Sequence, residues 1–276
     1  MIRVGPAGYP EGSKGPVDAV ERCAKLGFNA LEVQFVRQAR MAEDKAIALG
    51  KRANELGVLL SVHAPYYINF NSLNPETVRK SGEWVLKSVR LAHLMKAYVV
   101  VIHAASYSGG EPGKATRAVL TGLRECRRTM EQERTEEVLL GLETMGKRGS
   151  WGTLVEIAGV SSQLQGVVPV VDFAHLHARS GGGLDSVERF RAVLEEAGSM
   201  CNGRLHSHYS CIEFTEAGER RHLTLGERQP DFSLLVRALR GWKGELTIIS
   251  ETPAPENGAR EMVVQLSAQR RGKGGR

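Results

Sequence analysis

The sequence predicts a single-domain α/β protein, a (β/α)8 TIM barrel, on three observations. Short β-rich runs alternate with helical patterns along the chain. Several of the runs ("YVVVIH", "VVPVVDF", "ELTIISE") are continuously apolar, as strands buried on both faces are. The length, 276 residues, is close to the ~250 typical of one such barrel. Finally, one run after another ends on an imidazole or a carboxylate. A parallel barrel gathers its strand ends on one face, where such barrels do chemistry. A doubly wound sheet shares the alternation but would not bring all eight strand ends round one pocket.

The elements are expected in the following order. A strand over 2–5 leads to a helix over 16–26 with Gly27 just past its end. A strand over 29–34 precedes a helix over 41–56, closed by Gly57. The strand 58–63 ends on His63, and the helix 74–96 opens on Asn74 as N-cap with Pro75 in its first turn. The strand 98–103 ends on His103 before a helix over 113–133. The strand 137–143 ends on Glu143 before a helix over 151–160. The strand 167–172 ends on Asp172, with His175 just beyond. Gly181, Gly182 and Gly183 form a loop that lacks the lysine pattern of a phosphate cradle, and a helix follows over 185–198. The strand 203–208 carries His206 and His208, and Pro230 and Asp231 introduce a helix over 231–241. The strand 245–250 runs into Glu251, and a helix over 257–267 completes eight units. The barrel domain spans 1–268. The remaining segment 269–276, "QRRGKGGR", has no apolar residue to bury and is expected to be a basic, disordered tail.

Composition is that of an ordinary globular chain, 42% hydrophobic and 25% charged. A net charge of +6 is compatible with a polyanionic partner without requiring one. The four cysteines form no C-x-x-C pair and read as reduced thiols. No signal sequence is apparent, and no apolar run reaches the ~18 residues that span a bilayer. A cytoplasmic protein without a membrane partner is the expectation.

Of eight histidines, only His93 falls inside a helix expected from the pattern. A lone histidine at a strand end is usually a structural hydrogen-bonder, but six segments that deliver imidazoles and carboxylates to one place suit zinc, manganese or iron. A shared carboxylate such as Glu143 can bridge two cations ~3.5–4 Å apart, the geometry of two-metal phosphodiester chemistry.

At this point the motifs resemble those of endonuclease IV, the zinc-dependent apurinic/apyrimidinic endonucleases on a xylose isomerase-like barrel. The resemblance runs from about residue 3 to residue 255. It is carried by "SVHAPYYINF", "VIHAASYSG", "GLETMGKRGSWG", "VVDFAHLHA", "LHSHYS", "RRHLTLGE" and "ISETP". It implies two or three Zn2+ ions per chain, with Mn2+ as the other option. His63, His103 and Glu143 would hold a first ion; Glu143, Asp172, His206 and Glu251 a second; His175 and His222 a third. The family takes an aspartate two residues before the last of these histidines. Here that position is Arg220, and Glu219, His208, Glu213 or the arginine itself are the candidate substitutes. The implied reaction is hydrolysis of the DNA phosphodiester 5′ to an abasic site in base excision repair, with 3′-end trimming as a second activity. Glu143, Glu251 and Asp172 would be its catalytic carboxylates. The implied partner is double-stranded DNA with the damaged nucleotide flipped out, met by Arg37, Tyr66, Tyr67 and Asn69 as substrate-binding residues of a monomer. Arg40, Lys147 and Arg148 are further phosphate contacts. The alternative is a metal-dependent sugar isomerase or epimerase, for which the same barrel and one divalent ion suffice.

Overall fold

Apolar strands become the staves of a barrel because every one of them is covered on both faces. In the computed structural model, which describes all residues except 202, 228 and 272–276, eight parallel strands form one sheet. They are β1 (Ile2–Pro6), β2 (Ala30–Gln34), β3 (Leu59–His63), β4 (Val99–Ile102), β6 (Leu139–Glu143), β8 (Val167–Asp172), β9 (Arg204–Tyr209) and β12 (Glu245–Ser250). The order around the sheet is β1-β12-β9-β8-β6-β4-β3-β2, so sequence neighbours are spatial neighbours and the two ends meet.

They meet through backbone. Asn29 N donates to Val4 O at 3.1 Å and Gly8 N donates to Glu32 O at 2.9 Å, while the Asn29 side chain accepts from Val4 N at 2.8 Å. Gly5 makes this seam possible. A Cβ there would lie 1.9 Å from the carbonyl oxygen of Ala30, so only glycine lets β1 approach β2 this closely.

The outer layer is helical: α1 (Pro16–Lys25), α2 (Glu43–Leu56), α3 (Pro75–Met95), α4 (Pro112–Glu133), α5 (Leu154–Ser161), α7 (Val187–Ser199), α8 (Phe232–Ala238) and α9 (Pro255–Arg271). Their caps follow from sequence. Asn74 accepts from Glu76 N, Gly57 closes α2 in the left-handed region at φ 68°, and Thr153 and Glu156 form a reciprocal capping box on α5. The backbone of α9 stays helical through Arg271, three residues into the expected tail; the rest of that segment lies outside the described residues.

Three features were not expected from pattern. A two-stranded ribbon joins β5 (Ala105–Ser106) to β7 (Ser150–Trp151). A short helix, α6 (Phe173–Arg179), follows β8 directly, so His175 and His177 are helical residues rather than loop residues. An antiparallel hairpin, β10 (Cys211–Thr215) and β11 (Gly218–Leu223), rises after β9 and carries His222. Among the described residues no helix is long and apolar enough to cross a membrane, and all four cysteines are free and buried.

Candidate metal centre

Glu143 stands at the centre of the barrel's C-terminal rim, fully buried. Its two oxygens face different partners. Oε2 lies 3.2 Å from His63 Nε2 and 2.9 Å from His103 Nε2. Oε1 lies 3.2 Å from His175 Nδ1 and 3.3 Å from His208 Nδ1. Two ligand groups therefore share it: His63, His103 and Glu143 on one side, and Glu143, Asp172, His208 and Glu251 on the other. A third group, Asp172, His175 and His222, shares Asp172. Within each group the ligand atoms lie within 4.8 Å of one another.

The orientation of the rings is set from behind. His63 Nδ1 meets its neighbour's carbonyl, Ala64 O, at 2.7 Å; His175 Nδ1 meets Thr144 O at 2.9 Å; His222 Nδ1 meets Ser210 Oγ at 2.7 Å. A proton held on Nδ1 by a carbonyl leaves the Nε2 lone pair of His63 and His175 free. Asp172 serves both chain and site. Its Oδ1 accepts from His175 N at 2.7 Å and caps α6, while its Oδ2 is buried with no protein hydrogen-bond partner.

Charge here is strongly perturbed. Burial alone pushes the Glu143 carboxyl up, but the charges of His103 and His208 outweigh it and hold the group well below the usual carboxylate range. Burial lowers His175, and Asp172, Glu143 and Glu219 more than reverse that. His208 behaves likewise, through Glu251, Glu32 and Glu143.

These residues fit divalent cations. Besides Asp172 Oδ2, the buried polar atoms left without a hydrogen-bond partner include Glu143 Oε1, both nitrogens of His208 and Glu219 Oε2. A divalent cation held between them would satisfy these buried groups. The donors are mixed nitrogen and oxygen, as zinc and manganese accept. An ion held at ~2.1 Å in a tetrahedron sets its ligands ~3.4 Å apart, and the 3.2–3.5 Å contacts of Glu143 to His63 and His208, and of Glu251 to His208, match that span.

The structure moves one residue of the expected ligand set. His206 does not reach the second group: its Nε2 lies 2.9 Å from Glu32 Oε2, one pleat deeper, and His208 takes the place assigned to it. The pairing of β8 with β9 decides this, because Asp172 is level with His208 and Val170 with His206. Both histidines point to the same face, so alternation alone does not choose between them.

The position occupied by Arg220 is resolved by a β-bulge. Ile212 pairs with His222, Glu213 with Arg221 and Phe214 with Glu219, which leaves Arg220 as the extra residue. The bulge turns Glu219 inward where strict alternation would have turned residue 220. Glu219 Oε2 lies 3.3 Å from His175 Nε2, while Arg220 is exposed and pairs with Glu213 at 2.7 Å. Glycines let the hairpin dock: a Cβ on Gly218 (φ 101°) would lie 2.2 Å from Gly146 O. One on Gly146 would lie 2.6 Å from both Cβ and Oε2 of Glu219.

Outside the ligands lies a cavity of ≈ 640 Å³ whose lining includes Tyr66, Tyr67, Asn69, Lys147, Glu219 and His222. Tyr66 and Tyr67 are exposed at the rim, and Tyr66 sits over His63 and His103 with ring centroids at 4.8 and 5.2 Å. Its hydroxyl donates to Gln34 Oε1 at 3.2 Å. Asn69 braces the backbone. Its Oδ1 accepts from Asn71 N and Ser106 N, tying the loop after β3 to β5. Arg37 and Arg40 line a neighbouring hollow beside Tyr9 and Gln34. Sequence reasoning missed Glu32. A single acid in the apolar run "ALEVQF" was the available signal, because a buried carboxylate needs partners.

A family model described as "Xylose isomerase-like TIM barrel" matches residues 20–268. The chain belongs to this family. A relative from Methanocaldococcus jannaschii, described only as an uncharacterized protein, is 29% identical over 93% of each chain. Among solved structures, endonuclease IV from Thermus thermophilus superposes with a TM-score of 0.71 at 20% identity, over 96% of this chain and 99% of that one. The 3-keto-D-glucoside 4-epimerase YcjR from E. coli superposes with a TM-score of 0.73 at 14% identity, over 97% and 100%. Both structural likenesses concern the fold of this xylose isomerase-like barrel, and they span two chemistries.

Proposed function

We propose that this chain is a metal-dependent phosphodiesterase of the endonuclease IV type, which hydrolyses the DNA backbone 5′ to abasic sites. The observation that carries the reading is Glu143: each of its oxygens faces a different ligand group, as a carboxylate bridging two cations does. The group of Glu143, Asp172, His208 and Glu251 alone would serve a single ion. His63, His103, His175, His222 and Glu219 are more donors than one ion uses.

When bound, divalent cations at these groups supply Lewis acidity toward phosphoryl oxygens and raise the acidity of water. The protein's own residues do the rest. Glu143 and Asp172 tie the groups together. Glu251, partly exposed at the cavity edge, is placed to take a proton from the attacking water. Tyr66 and Tyr67 offer exposed rings on which an unpaired base or sugar can stack. Lys147, at the cavity lining, offers a positive charge for a phosphate.

The second reading, a sugar epimerase, is favoured by the four-ligand group taken alone and by the epimerase among the structural neighbours. One experiment separates the two. A labelled duplex with one abasic-site analogue is incubated with zinc-loaded protein, with and without chelator, beside Glu143→Gln. The expected result is chelator-sensitive incision 5′ to the lesion, lost in the variant, with two or three zinc ions per chain. No incision by protein carrying a single ion, together with epimerisation of a free ketose, would overturn the nuclease reading.

A further inference from the structure

Beneath the ligand floor, four side chains converge on one carboxylate that the proposed reaction does not use. Glu32 is fully buried on β2. Its Oε1 accepts from Gln34 Nε2 at 2.9 Å and lies 3.0 Å from His208 Nε2. Its Oε2 accepts from Ser61 Oγ at 3.0 Å and lies 2.9 Å from His206 Nε2. An ionised carboxylate only accepts, so the His206 proton sits on Nε2 toward Glu32, and Nδ1 is left to accept from the Tyr98 hydroxyl at 2.6 Å.

Glu32, His206 and His208 lie close enough to suggest another ion. The count of acceptor sites argues against it. A carboxylate offers about four lone-pair positions; three take hydrogen bonds from Gln34, Ser61 and His206, and His208 Nε2 sits against the group as a charge contact at 3.0 Å. What Glu32 can do is act on His208. The Nε2 of that ring faces Glu32, and its Nδ1 faces Glu143 Oε1 at 3.3 Å and Glu251 Oε1 at 3.5 Å. The other ligand histidines of known backing take their support on Nδ1 from a carbonyl or hydroxyl. His208 has the reverse arrangement, with a carboxylate behind Nε2.

We infer that Glu32 is a positioning residue: it fixes the His208 ring with its proton on Nε2, so that Nδ1 is the ligand atom toward Glu143, Asp172 and Glu251. A carboxylate behind a ligating imidazole sets its tautomer and makes it a stronger donor. The inference rests on the metal reading of the site but not on the substrate, so its test uses no DNA.

Glu32→Gln is titrated with Zn2+ against a competing chelator, and with Co2+ followed by its visible absorption. One cation is expected to bind ~10–100-fold more weakly, the usual cost of losing such a partner, with a changed Co2+ spectrum. Tyr98→Phe is the control. It loosens His206 and lowers the melting temperature but leaves both metal readouts at wild-type values. Should Glu32→Gln fail to fold, the wild-type protein decides: with 15N-labelled histidine and 113Cd, coupling is expected at His208 Nδ1. Wild-type affinity in Glu32→Gln, an equal loss in Tyr98→Phe, or coupling at Nε2 overturns the inference.

Discussion

Gly146→Ala tests the rewired third group without replacing a ligand. The residue is not in the left-handed region, so alanine is tolerated by the backbone there. The added Cβ would meet Glu219 Cβ and Oε2 at 2.6 Å and His175 Cδ2 at 3.1 Å. Ordinary contact needs ~3.5 Å or more, so Glu219 must retreat by about 1 Å. The present 3.3 Å between Glu219 Oε2 and His175 Nε2 is a tetrahedral edge. After that retreat the pair reaches about 4.2 Å, the limit that one ion can span at ~2.1 Å per bond. The expected result is one cation lost or weakened ~10–100-fold, with the two ions that share Glu143 retained, and an overpacking cost of ~1–3 kcal/mol. The assay is metal content after dialysis against graded chelator, with thermal melting alongside. Gly149→Ala, in the same loop with nothing near its added Cβ, serves as the silent control. If Gly146→Ala binds the wild-type number of ions with wild-type affinity, Glu219 is not a ligand held there by this contact.

Two further outcomes are expected. Gly5→Ala forces a Cβ to within 1.9 Å of Ala30 O. It should cost more than the ~0.5–3 kcal/mol of an ordinary substitution, and a wild-type melting temperature would refute the described seam. His177 is buried with neither ring nitrogen hydrogen-bonded, and burial holds its pKa below the ordinary value. As pH falls through ~6.5 the unfolded ring takes a proton that the folded one refuses, so this stability is lost on acidification, by at most ~1.4 kcal/mol per pH unit. His177→Leu should flatten that part of the slope between pH 7.5 and 5.5 in denaturant titrations, and an unchanged slope would refute it.

The barrel was legible because its strands are short apolar runs and its helices carry their own punctuation. Asn74 with Pro75, and Gly57, mark boundaries that the structure keeps. The strands over 167–172 and 245–250 agree to the residue. What was illegible depended on register. His206 and His208 share a face, and only pairing with β8 says which is level with Asp172. The bulge at Arg220 shifts alternation by one residue, and no local pattern announces it. The α6 helix has seven residues, too few for a period to show, and it starts on an aspartate whose other oxygen faces the ligand groups.

The hydrogen bond from Tyr66 to Gln34 continues from Gln34 to Glu32, and Glu32 lies against His208. An exposed ring at the cavity mouth is thereby joined, through half-buried Gln34 and buried Glu32, to a donor in the ligand floor. Binding at the two ends is then a linked equilibrium. Whatever factor an ion in the floor contributes to the grip of a ligand that engages Tyr66, that ligand returns to the ion. The mouth of this barrel reports on its floor.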